Sequence, residues 1–161
     1  MPAQYDRSGL TFQYPENWEL EDGVLEGGDA ARGAGVAVSV TSPGGGFWTV
    51  ISHRGFFQPQ QYVESALQAL RETYHELDTE SVEETIAGHR LTGYNVDFIS
   101  LDTVSTARVR GVETHEGSLL ILCQADDREF ERIEPVFRAM TVSLLNHQTR
   151  SLRSGWPPSA P

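Results

Sequence analysis

Five consecutive apolar residues, Leu119-Leu120-Ile121-Leu122-Cys123, constrain the fold of this chain more than any other feature. They lie in a short segment, Ser118 to Gln124, that follows a tight turn at Glu116-Gly117. Its length suits a strand better than a helix. Successive side chains of a strand point to opposite faces. A strand that is apolar at every position needs cover on both faces, so it belongs at the centre of a sheet with a layer on each side.

The neighbouring segments supply the rest of that sheet. Arg90 to Leu101 alternates, with Tyr94, Val96 and Phe98 on one face, and Val104 to His115 follows a turn at Asp102-Thr103. Glu80 to Ile86 reads as an edge strand protected by its charge. Upstream, Leu10 to Tyr14 is a strand that stops at Pro15. Val36 to Val40 and Trp48 to Ser52 form a hairpin across Ser42-Pro43-Gly44-Gly45-Gly46. The acidic stretch from Glu16 to Asp29 reads as a solvated loop with a short strand near Val24-Leu25.

Apolar residues at helical spacing predict a helix from Gln60 to Leu77, with Pro59 in its first turn. A second helix opens at Asp126-Asp127, where Asp126 and Glu129 resemble a capping box. Its buried stripe is Phe130, Ile133, Phe137 and Met140. Pro135 either kinks this helix or marks a later start. The fold class is α+β: a central antiparallel sheet of about six strands sandwiched by helices. One domain is expected over 1–145, with a disordered tail over 146–161.

That order of elements, together with Phe12-Gln13-Tyr14-Pro15-Glu16-Asn17-Trp18, resembles the PsbP-like superfamily. The photosystem II extrinsic subunit, the Ran-binding factor Mog and the Eag-type chaperones belong to it. The resemblance spans roughly residues 5–145 and implies a central antiparallel sheet between helices. It implies binding or assembly work rather than one activity, because these proteins share a scaffold. No binding residue of the family maps onto a position here.

The chain carries 23 acidic residues against 12 basic ones, a net charge of −11. That balance argues against nucleic acid, whose phosphates need a basic stripe, and against anionic membranes. No apolar run is long enough to span a bilayer, so no membrane insertion is expected. The first residues show no signal peptide, which gives a cytoplasmic expectation if Met1 is the natural start.

Catalytic patterns are missing. Cys123 lies within the apolar run and reads as a buried, inert thiol. The five histidines, at 53, 75, 89, 115 and 147, show no metal-ligand spacing. Gly33-Ala34-Gly35 precedes a strand rather than a helix, so it is no dinucleotide fingerprint. Glu83 and Glu84 point to opposite faces of a strand and make a poor acid–base pair. The expectation is a chain with no cofactor and no metal, not an enzyme.

Trp18 is expected to anchor the first turn against the core, and Trp48 reads as a packing residue. Trp156-Pro157-Pro158 is either a docking motif or simply the end of the chain. Arg108 and Arg110 share one face of their strand. With Ser100 opposite Ser105, Asp97 would face Arg108 and Asn95 would face Arg110. One outcome is a cross-strand Asp97–Arg108 ion pair. The other is an Arg110 left without a carboxylate, ready to receive an acidic group from a partner. The leading expectation is a protein-binding adaptor, assembly factor or chaperone, monomeric or homodimeric, with another protein as its partner. The alternative is a small-molecule or lipid carrier using a cavity between sheet and helix; an unfilled core would favour it, and Gly93 and Gly111, both within strands, are where one could open.

Overall fold

The computed structural model describes residues 2–25, 35–53, 58–115 and 117–155. Nine strands and two helices follow in order: β1 (Pro2–Arg7), β2 (Leu10–Pro15), β3 (Glu19–Leu25), β4 (Gly35–Thr41), β5 (Phe47–His53), α1 (Pro59–Thr73), β6 (Leu77–Ile86), β7 (His89–Ser100), β8 (Thr103–Thr114), β9 (Gly117–Asp126) and α2 (Asp127–Gly155). Seven strands form one sheet in the order β3-β4-β5-β9-β8-β7-β6, with every neighbour antiparallel. The apolar strand β9 is the fourth of the seven, the place its two apolar faces require. β1 and β2 form a separate two-stranded hairpin.

Each face of the sheet has its own cover. On one, Val63, Leu67 and Leu70 of α1 pack on Val96, Phe98, Ala107, Val109 and Leu120. On the other, α2 and β2 together bury Phe12, Trp48, Val50, Ile121, Phe137, Met140, Leu144 and Leu145. Trp48 is fully buried and donates from Nε1 to Thr141 Oγ1 at 3.0 Å. Trp18 is buried edge-on against Phe137, ring centres 5.9 Å apart, so it does anchor the first turn. Its backbone amide closes that turn on the Pro15 carbonyl at 3.0 Å.

Three expectations are corrected. The acidic stretch after Trp18 is mostly strand: β3 starts at Glu19 and lies at the sheet edge, where Glu19 and Glu21 are exposed. Asp22 of that strand accepts from Tyr5 Oη at 2.8 Å, which ties the β1–β2 hairpin to the edge. α1 ends at Thr73 rather than Leu77, because Tyr74 turns extended and Leu77 pairs with Phe98. α2 starts at Asp127, where the sequence places it rather than later, and runs through Pro135, which lies on its exposed side. The Asp126 carboxylate accepts from the Glu129 amide at 2.9 Å, the cap that the sequence signals.

The third correction concerns the tail: α2 continues to Gly155, so 146–155 is helix. Gln148 is buried there and donates from Nε2 to the Gly9 carbonyl at 2.9 Å. Trp156-Pro157-Pro158, Gly33-Ala34 and Glu116 lie outside the described residues. Among the described residues no helix is long and apolar enough to cross a membrane.

Candidate protein-interaction surface

Among the described residues, the two-residue turn between β7 and β8 is the one positive-φ pair without a glycine. Leu101 and Asp102 have φ of 50° and 64°, and Ser100 pairs with Thr103. Two consecutive residues at positive φ suit a tight antiparallel hairpin, because that turn's twist matches the strands. Two other hairpins use it as well, at Ser8-Gly9 and Ala87-Gly88. Both place glycine second, where positive φ costs nothing. The β7–β8 turn has no glycine and puts a leucine first. An L-residue in this region costs roughly 1–2 kcal/mol.

The same turn projects from the sheet. β6 begins at Leu77, opposite Phe98, and β9 ends at Asp126, opposite Ser105. Ile99 to Val104 therefore run past both neighbouring strands. Leu101 is 97% exposed, Ile99 60% and Val104 45%, and Ile99 and Val104 are a cross-strand pair. Exposed Asp78, Asp97, Asp102 and Asp127 stand around this tip, with Arg128 at the start of α2. Leu101→Asn should raise stability by about 1 kcal/mol, because asparagine accepts positive φ more readily. A thermal midpoint rise of about 2–4 °C would register it; an unchanged or lower midpoint would show that Leu101 is not strained.

The four residues singled out in the sequence are differently arranged. The turn is Leu101-Asp102, so Asn95 lies opposite Arg108, Asp97 opposite Thr106 and Gly93 opposite Arg110. Asp97 accepts from Thr106 Oγ1 at 2.9 Å and makes no cross-strand pair with Arg108. Arg108 instead pairs with Glu134 of α2 at 2.8 Å and lies over the Phe130 ring, 4.8 Å from its centre. Its Nε is buried and makes no hydrogen bond.

Arg110 is not left without a carboxylate. Its Nε bonds Glu84 Oε2 at 2.5 Å, one Nη bonds Asn95 Oδ1 at 2.6 Å, and the other bonds the Tyr94 and Val109 carbonyls. Only 8% of its side chain is exposed. Arg138 of α2 also reaches Glu84, at 3.5 Å. Burial pushes the Glu84 carboxyl up, but the hydrogen bond and charge of Arg110, with Arg138, outweigh it and hold it below the usual carboxylate range. This cluster fastens α2 to the sheet.

Three further titratable groups, Cys123, Glu83 and Glu129, are buried or paired. Burial pushes the Cys123 thiol up to about 12 despite nearby Arg108 and Arg110, so it stays protonated and is a poor nucleophile. Glu83 pairs with Arg90 at 2.7 Å, on the face opposite Glu84. Glu129 is buried and takes bonds from Ser42 and Arg132. Among the described residues no group of three His, Cys, Asp or Glu is placed to hold a metal ion.

The strand glycines do not open the unfilled core that the carrier alternative would need. A Cβ on Gly93 would lie 1.8 Å from the Val109 carbonyl oxygen, and one on Gly111 would lie 2.8 Å from Val63. Neighbours already occupy both spaces. A cavity of about 40 Å³ lies between the sheet and α2, bounded by Glu84, Arg110, Cys123 and Arg138. It is room for water, not for a lipid. A larger open groove of about 560 Å³ runs between the Tyr14-Pro15 turn and α2, over Pro135, Val136, Ala139 and Met140.

No family model matches the chain, and no curated protein does. Among solved structures, cyanobacterial PsbP from Synechocystis superposes with a TM-score of 0.55 at 13% identity, covering 88% of this chain and 90% of that one. The fold is PsbP-like. LpqN of Mycobacterium tuberculosis, involved in cell envelope biogenesis, gives a TM-score of 0.45 at 12% identity over 87% and 86% of the two chains. A Pseudomonas aeruginosa protein of unknown function gives 0.47 at 13% identity over 89% and 95%.

At such identities the PsbP-like likeness is one of scaffold alone and transfers no site residue. On this scaffold the apolar hairpin tip was missed from sequence, and one signal for it exists. Ile99-Ser100-Leu101-Asp102-Thr103-Val104 puts apolar residues around a turn where Asn and Gly are the ordinary occupants.

Proposed function

We propose that this PsbP-like chain is a non-catalytic protein-binding module, an adaptor, assembly factor or chaperone. The protruding tip of the β7–β8 hairpin carries that reading. Leu101 is exposed and held at positive φ, and the turn type would accept asparagine or glycine there. Strain at a position with no role in the core is a pointer to function. Burying Leu101 alone in a partner's pocket would be worth about 1.5–3 kcal/mol, enough to make it an anchor.

The test is recovery of a partner from native extract on the wild-type chain and on Leu101→Asn. A partner held by wild type should fall to roughly one tenth on the variant. Equal recovery on both would remove the tip from the interaction. A wild-type chain that recovers no protein would overturn the reading.

One observation favours the carrier alternative. The open groove beside Tyr14, Pro15, Val136 and Met140 has the volume of a small-molecule site. A retained small molecule in native mass spectrometry, lost on Ala139→Trp, would support it.

A further inference from the structure

We propose that the β7–β8 tip is a plug that seats in an apolar pocket rimmed by lysine or arginine on a protein different from this chain. This rests on the protein-binding reading and names the chemistry of the partner. The plug is the side chains of Leu101, Ile99 and Val104, at the end of a hairpin that outruns both neighbouring strands. The projection lets the tip enter a concavity, because no neighbouring strand flanks it from Ile99 to Val104. A flat partner would leave most of the Leu101 surface wet.

The charge around the plug selects the rim. Asp102 is the second turn residue, Asp97 and Asp78 face each other across β7 and β6, and Asp127 opens α2. All four are exposed, and the chain as a whole carries −11. A basic rim meets these carboxylates at close range and steers the approach. A second copy of this chain would bring the same carboxylates together tip to tip, an arrangement that costs energy. An anionic lipid surface would repel them in the same way.

The test uses the full chain with photoreactive benzoylphenylalanine in place of Leu101 or, as a control on α1, in place of Glu72. Each is irradiated in native extract, and the adducts are mapped by peptide sequencing. The expected result is one protein adduct from position 101, on an apolar segment flanked by lysine or arginine. Its yield should fall as salt is raised to about 0.5 M. Unlabelled wild-type chain should suppress it, whereas at least about tenfold more Leu101→Asn should be needed. Asp97→Lys with Asp102→Lys, which leaves the plug in place, should also be a weaker competitor.

An adduct to a second copy of this chain, or to a segment without basic neighbours, overturns the inference. So does pelleting of the wild-type chain with equimolar phosphatidylcholine and phosphatidylglycerol vesicles while position 101 gives no protein adduct. Adducts from position 72 alone overturn the plug and leave the protein-binding reading standing. No adduct from either position overturns both.

Discussion

Gly93→Ala is expected to destabilise the protein by more than about 4 kcal/mol, the range reserved for changes the backbone cannot absorb. In an ordinary strand the substitution should help, because alanine loses less conformational freedom than glycine. Here a Cβ would stand 1.8 Å from the Val109 carbonyl oxygen, 2.8 Å from its carbon and 3.1 Å from Arg110 Cα. All three are backbone atoms of β8, and a rotamer change relieves none of them. β8 cannot retreat, because its other edge is bonded to β9 from Ser105 to Thr114. The close approach also serves Arg110, whose guanidinium folds across β7 to the Tyr94 carbonyl at 2.9 Å. Urea denaturation should show the loss in full. A change under about 1 kcal/mol would mean that β7 and β8 separate at little cost.

Residue patterns that depend on one face at a time were legible in the sequence. The central place of β9 follows from apolar side chains on both its faces, whatever its register. Arg108 and Arg110 share the face turned to α2, as alternation requires. Their partners were not legible. Placing the turn at Asp102-Thr103 moves the β7–β8 register by two residues, which preserves faces and changes every neighbour. Glu84 and Glu134 each lie 26 residues from the arginines they bind, in β6 and α2. No local pattern encodes such a contact. β3 was hidden because an edge strand needs little apolar content, and its charges read as loop. Residues 146–155 were hidden for a related reason: Gln148 is held by a hydrogen bond to backbone rather than by an apolar stripe. The proposed interaction surface was the least legible of all. Exposed leucines are common, and Leu101 becomes notable only once its φ and its projection are known.

Glu84→Ala is expected to cost about 3–5 kcal/mol at neutral pH, because it strands a buried guanidinium. Arg110 would keep Asn95 and two carbonyls but lose its carboxylate, and Arg138 would lose the same partner. The pH dependence separates charge from packing. The Glu84 carboxyl is held below its ordinary value of 4.5, so the unfolded chain takes up that proton first as pH falls. Its contribution is fully present above the unfolded value and is lost as pH drops through the folded one. The wild-type advantage over Glu84→Ala should therefore be constant near neutrality and shrink on acidification below about 4.5. An advantage that persists unchanged in acid would assign Glu84 to packing and not to its charge. If removing Glu84 loosens α2 from the sheet, Arg110 is committed to holding the scaffold together. The hairpin tip proposed above as a docking surface shares no residue with that cluster.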